Sequence, residues 1–154
     1  LNTVSSAKPK IADYPFTTLR PHLGTIKYSD NSFVIADIPG IIEGASDGHG
    51  LGIKFLKHIS RTGILLFFLE AFSEISVQDQ FLKLKKELGD FSERLLEKEF
   101  YIVVTKIDLI DEETRLETLN TFNAKEFTNV FGISSVTGEG IQDLLDDISR
   151  KIFI

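Results

Sequence analysis

Three short stretches of this sequence carry side chains suited to holding a charged or metal-bound ligand, and each follows an apolar run of strand length. The first is Asp37-Ile38-Pro39-Gly40, where an acid closes a hydrophobic run and is followed by a glycine whose N–H can approach a ligand unobstructed. One carboxylate there is enough for Mg²⁺, which keeps several waters and takes the rest of its shell from few protein groups and substrate phosphates. The same tetrapeptide also suits a plain Asp-capped Pro-Gly turn.

The second is Thr105-Lys106-Ile107-Asp108, after the run FYIVVT. The Asp108 carboxylate can accept two parallel hydrogen bonds, which matches the N1–H and exocyclic amino group on one edge of guanine. Adenine would leave that carboxylate unpaired, a mismatch that discriminates strongly. The Lys106 stem can lie along a base plane while its ammonium reaches back to backbone carbonyls. Alone, x-Lys-x-Asp after a strand is equally a solvated turn. The third is Ser134-Ser135-Val136, whose small residues let a backbone N–H point at an acceptor such as guanine O6, or simply make a serine-rich turn. Their order shifts the balance toward a site: Asp108 stands 71 residues after Asp37, and Ser134 a further 26 on, each at a different strand end.

The elements that must position these loops alternate between strand and helix, the pattern of an α/β domain with a mainly parallel sheet. Residues 24–29 and 32–37 flank Asp30-Asn31 as an antiparallel hairpin, with Phe33 and Ile35 opposite in facing to Val34 and Ala36. Residues 64–69, 100–105 and 129–133 read as buried strands. Helical spacing runs through residues 77–95, where Phe81, Leu84, Leu88, Phe91 and Leu95 share a face. It recurs through Ile141, Leu144, Leu145, Ile148 and Ile152, with shorter helices expected over residues 51–60 and 112–122. In an open parallel sheet, ligands sit beyond the carboxyl ends of the strands, where all three stretches fall.

With these motifs in place, the sequence resembles a P-loop GTPase, and specifically the Obg family. Residues 8–24, KPKIADYPFTTLRPHLG, resemble that family's switch I, and residues 37–52, DIPGIIEGASDGHGLG, its switch II. TKID and SSV stand where the family has its guanine-specificity motifs, and the likeness covers residues 1–154 as one Obg-type G domain. It implies a P-loop GTPase-like three-layer α/β sandwich with a mainly parallel sheet and one antiparallel hairpin strand. It also implies GTP or GDP and Mg²⁺ as ligands. Thr18 matches the switch threonine that ligates Mg²⁺, framed by Phe16, Thr17, Leu19 and Arg20. Asp37 matches the acid that holds Mg²⁺ through water, and Gly40 the amide that senses the γ-phosphate. Loss of that phosphate would release both segments.

Four features qualify the resemblance. Thr105 stands in place of the usual Asn and Ser135 in place of the usual Ala, which points to weaker nucleotide affinity with guanine preference retained through Asp108. Ile41 occupies the position where Ras-like proteins carry a water-orienting Gln, so slow hydrolysis is expected, and no residue of the chain is assigned as catalytic base. No GxxxxGK[ST] phosphate loop occurs in the 154 residues. Residues 1–6 resemble the end of the helix that follows that loop, so the natural protein is expected to continue upstream. There it would supply the loop and a central first strand, without which the chain folds poorly and does not bind GTP tightly.

Composition sets the remaining bounds. The longest apolar run, residues 63–69, is far short of the roughly 20 residues that span a bilayer. Cysteine is absent, which excludes disulfides and thiolate chemistry, and a net charge of −6 with no basic stripe gives no nucleic-acid signal. A cytoplasmic location is expected, with no membrane partner. The large ribosomal subunit enters as a partner only through the family resemblance. Against the GTPase reading stand a non-catalytic interaction module derived from a G domain, and a phosphoacceptor receiver domain with Asp37 as acceptor. The latter has no use for the Thr105–Asp108 and Ser134–Val136 stretches.

Overall fold

The computed structural model describes residues 2–5, 10–11, 22–37, 62–123 and 127–153. Strands β1 (Lys10–Ile11), β2 (His22–Tyr28), β3 (Asn31–Asp37) and β4 (Ile64–Glu70) come first, then helices α1 (Val77–Phe91) and α2 (Glu93–Leu96). Strand β5 (Glu99–Thr105), a 3₁₀ turn (Ile107–Leu109), helix α3 (Glu112–Asn123), strand β6 (Val130–Gly132) and helix α4 (Ile141–Phe153) complete the order. The chain gathers into two compact units, one of residues 1–62 and 87–95, the other of residues 63–86 and 96–154.

In the first unit, β2 and β3 form the expected antiparallel hairpin, with Ile26 opposite Phe33 and both buried, while Val34 is exposed. The turn lies one residue earlier than expected: Tyr28 pairs with Asn31, so Ser29 and Asp30 make the bend, and Ser29 takes a positive φ of 50°. That backbone matches the right-handed twist of a two-residue hairpin. β1, not foreseen within the switch I stretch, adds to β2 through Lys10↔Leu23 and Ile11↔His22. β3 ends at Asp37, paired across the ladder with His22.

The second unit is built on a parallel sheet of order β4-β5-β6. Adjacent residues of the central strand face opposite ways, and Tyr101, Ile102, Val103 and Val104 are all fully buried, so both faces of β5 are covered. On one face Phe67 and Phe100 meet edge to face at 5.4 Å, and Phe81 of α1 stands 5.3 Å from Phe67 and 5.8 Å from Phe122 of α3. On the other face α4 packs, with the Tyr101 hydroxyl donating to Asp147 Oδ2 at 2.7 Å and Lys151 paired to Glu99 at 2.8 Å.

The helix expected over residues 77–95 is interrupted. α1 stops at Phe91, and a short α2 resumes with Leu95 N donating to Ser92 O. Gly89 and Asp90 are poor helix formers and serine favours helix ends, which accounts for the break. Leu95 keeps its burial at 2% exposure, now from the second segment. The predicted strand over residues 129–133 shortens to Val130–Gly132, and the helix expected over residues 51–60 lies outside the described residues.

Parallel pairing puts the carboxyl ends of the three strands at one edge, since Glu70 is level with Thr105, and Val104 with Gly132. Every loop leaving that edge is therefore held by a strand paired to, or part of, the buried β5. The opposite, amino-terminal edge is held by the Tyr101–Asp147 bond. Burial first, then the hydrogen bond to Asp147 and that carboxylate's charge, push the Tyr101 phenol above its ordinary value of 10.0. The folded chain thus keeps a proton that the unfolded chain releases near pH 10, so this contribution to stability is complete below pH 10 and lost as pH rises above it. Urea midpoints measured across the alkaline range should fall less steeply for Tyr101→Phe than for the parent.

Candidate functional site at the strand ends

The loop after β5 is shaped by one strained residue. Lys106 adopts φ 59° and ψ 34°, a left-handed conformation that costs a non-glycine residue roughly 1–2 kcal/mol. It turns the chain from the strand into the 3₁₀ turn, where Ile107 is buried and its N–H donates to Ile133 O at 3.3 Å. With Ile107 as the anchor, Asp108 is held exposed, and its carboxylate takes no hydrogen bond or ion pair among the described residues. The turn runs on into α3, whose first turn is capped by Asp111 accepting from Thr114 N at 2.8 Å. The backbone and side-chain hydrogen bonds from Thr114 hold the Asp111 carboxyl below its ordinary value.

Thr105 and Lys106 both reach toward the end of β4. The Thr105 hydroxyl donates to Leu69 O at 3.1 Å, and Ala71 N donates to Thr105 O at 3.0 Å. The Lys106 ammonium does not turn to backbone carbonyls but pairs with Glu70 at 2.6 Å. Glu70 was not among the residues picked out from the sequence. Its signal was available, because it closes ILLFFLE as Asp37 closes NSFVIAD.

The loop after β6 lies beside the first, tied to it by the Ile107–Ile133 bond. Ser134 is fully buried, and its hydroxyl accepts from Val136 N at 3.2 Å and Thr137 N at 3.1 Å. Its own N–H donates to Glu139 O, and its carbonyl accepts from Gly138 N. Ser134 therefore frames the loop from inside, while Ser135 and Val136 stand exposed at its tip, and the Ser135 amide has no partner among the described residues. Arg115 of α3 braces the loop through Glu139 at 2.6 Å.

Asp37, in the first unit, is exposed at the end of β3 and likewise makes no hydrogen bond or ion pair among the described residues. Phe16, Thr17, Thr18, Leu19, Arg20, Ile38, Pro39 and Gly40 lie outside the described residues. The structure thus brings Thr105–Asp108 and Ser134–Val136 together on one edge of one sheet. Chemically, among the described residues that edge offers a carboxylate at Asp108 and an amide donor at Ser135 that are both without partners, and a flanking ammonium at Lys106. A cavity of about 440 Å³ between Glu97–Phe100 and Phe127–Asn129 opens at the other end of the strands, away from these groups.

Two glycines let the second loop close. Gly138 and Gly140 take φ of 83° and 71°, and a methyl group at Gly140 would run into the Gly132 carbonyl oxygen at the end of β6. Gly140→Ala should therefore cost at least the roughly 1–2 kcal/mol of a left-handed alanine, lowering the melting temperature by about 2 °C or more. A melt unchanged to within about 1 °C would contradict this packing.

A family model described as "50S ribosome-binding GTPase" matches residues 1–106. The chain is 50% identical over 153 residues to the GTPase Obg of Chloroherpeton thalassium, covering 99% of this chain and 44% of that protein. It is 47% identical over 155 residues to the GTPase Obg of Thermodesulfovibrio yellowstonii, covering 99% of this chain and 46% of that protein. The chain spans less than half the length of these curated relatives. Among solved structures, the cytosolic domain of the T. maritima FeoB iron transporter in its GMPPNP form aligns with a TM-score of 0.69 at 18% identity, over 97% of this chain and 56% of that one. The G domain of the same transporter aligns with a TM-score of 0.63 at 17% identity, over 97% of this chain and 86% of that one. These likenesses establish the α/β G-domain fold.

Proposed function

Because the chain belongs to the Obg family of GTPases, we propose that its strand-end edge is the guanine-binding half of a GTP-binding, slowly hydrolysing molecular switch acting in large ribosomal subunit assembly and growth control, in the cytoplasm. The observation that carries this reading is the pairing of an Asp108 carboxylate and a Ser135 amide, both without partners among the described residues, on adjoining loops of one parallel sheet. A carboxylate accepting two hydrogen bonds beside an N–H donor is complementary to the N1–H, exocyclic amino group and O6 of guanine. Adenine offers the opposite polarity at two of these positions, and burying Asp108 against it would leave a charge unpaired. Among the described residues no helix is long and apolar enough to cross a membrane.

By family resemblance, Asp37 and the switch segments would meet the phosphates and Mg²⁺. No cluster of three His, Asp or Glu side chains that could hold a metal forms among the described residues. The Asp37 carboxylate, exposed and without a partner among the described residues, fits an ion held mainly by water and phosphate oxygens. Asp37 through water and the Thr18 hydroxyl would hold Mg²⁺, which would neutralise charge on the phosphates. Phe16, Thr17, Leu19 and Arg20 would frame Thr18, with Ile38, Pro39 and Gly40 closing on the γ-phosphate side. Ile41 cannot hydrogen-bond an attacking water, so hydrolysis by the protein's own groups is slow. The alternative reading is an interaction module that keeps the switch shape without binding phosphate.

Titration of the full-length gene product with fluorescent GDP and ADP tests the first reading. GDP should bind far more tightly than ADP, and Asp108→Ala should weaken GDP binding by about 10- to 100-fold, the range for hydrogen bonds to a charged group. Thr105→Asn should strengthen it. Equal affinity for the two nucleotides would overturn the assignment, and binding of neither would favour the interaction module.

A further inference from the structure

The Glu70–Lys106 pair is poorly explained as a stabilising contact. Its side chains are 40% and 52% exposed, and exposed pairs of this kind contribute little. Yet the backbone beneath it is held with unusual completeness. Gln80, in the first turn of α1, accepts from Glu70 N at 2.8 Å and donates to Glu70 O at 2.9 Å, and its amide also donates to Ile75 O at 2.8 Å. Gln80 is itself fixed by a helix cap, in which Ser76 Oγ accepts from Asp79 N at 3.1 Å and donates to Asp79 Oδ2 at 2.7 Å. On the other side, the Thr105–Leu69 and Ala71–Thr105 bonds fix the start of the Lys106 turn against β4.

The geometry points to Glu70 as a positioning residue for the nucleotide base, acting through Lys106; this rests on the guanine-site reading above. The salt bridge does two things there. Lys106 starts from the end of β5 and its ammonium sits at the end of β4, so its methylenes span about one strand spacing, roughly 4.8 Å, across the sheet edge. A stem already stretched over that edge offers an ordered apolar surface to a base plane. It removes most of the cost, about 0.5–1.5 kcal/mol per flexible side chain, of immobilising it on binding. The second effect is on charge. Lys106 and Asp108 are two residues apart in one loop, and an unpartnered ammonium would have the Asp108 carboxylate as its nearest anion in sequence. Glu70 occupies the ammonium, and among the described residues Asp108 is left with its acceptors open. A second acid at the neighbouring strand end thus keeps the first one available.

The test is a double-mutant cycle in the full-length gene product, measuring GDP and ADP dissociation constants and thermal melts for the parent, Glu70→Ala, Lys106→Met and the pair. Glu70→Ala should raise the GDP dissociation constant about three- to tenfold, the fold-change of one ordered side chain. Its melt should move by no more than about 2 °C, as an exposed pair implies. Adding Glu70→Ala to Lys106→Met should change GDP binding no further, because the effect passes through Lys106. Losses that multiply in the double variant would show Glu70 acting structurally and overturn the proposal, as would GDP affinity within about twofold of the parent in Glu70→Ala. A parent that binds ADP as well as GDP would remove the guanine-site reading and this inference together. A parent selective for GDP with an indifferent Glu70→Ala removes this inference alone.

Discussion

Burial of β5 on both faces is the constraint from which the strand-end chemistry follows. Tyr101 to Val104 have no exposed side, with an aromatic cluster against one face and α4 against the other. A slip of one residue would swing the Tyr101 hydroxyl into the phenylalanine cluster and turn Phe100 toward Asp147, so the register has a single solution. Once β5 is fixed, β4 and β6 align to it, and the ends of all three strands arrive level. Loops that are 26 residues apart in sequence at Asp108 and Ser134 then become neighbours without any contact between the functional side chains themselves.

Beyond the sheet edge, rigidity is supplied by groups that would not touch a ligand. Ser134 turns its hydroxyl inward to collect two amides, Ile107 buries its side chain, and Gly140 allows α4 to start hard against β6. The strain at Lys106 is tolerated because the buried bonds on either side of it leave the backbone no cheaper path. The result is a division of labour in which buried residues set backbone direction, while the exposed Asp108 carboxylate and Ser135 amide have no partner among the described residues.

Much of this was legible in the sequence because it depends on local pattern. The runs read over residues 64–69, 100–105 and 129–133, the hairpin alternation of Phe33 against Val34, and the helical stripe of α4 all follow from periodicity. The candidate residues at 105–108 and 134–136 were legible as strand-end positions carrying unusual side chains. What escaped was whatever required a partner from elsewhere. Strand β1 is two residues long and exists through its pairing to β2, so no periodic signal can announce it. The break at Ser92 interrupts an apolar stripe that continues correctly on either side. Lys106 has one acceptor in reach only after β4 and β5 are level, so its pairing with Glu70 is a tertiary fact.

The parallel sheet has a consequence in time as well as in space. Ile64 pairs with Glu99 and Ile102 with Val130, so no two neighbouring strands can meet until the helical segment between them has been made and folded back. Such distant pairings place assembly of the sheet late in folding and on the slow side for a chain of this size. During that interval β4, with the bulky Phe68 still half exposed in the finished fold, presents an open hydrogen-bonding edge. A chain that must wait for its own distant strands is also one that can be intercepted by another's. Growth temperature and expression rate therefore bear on its recovery as directly as the stability of its final state.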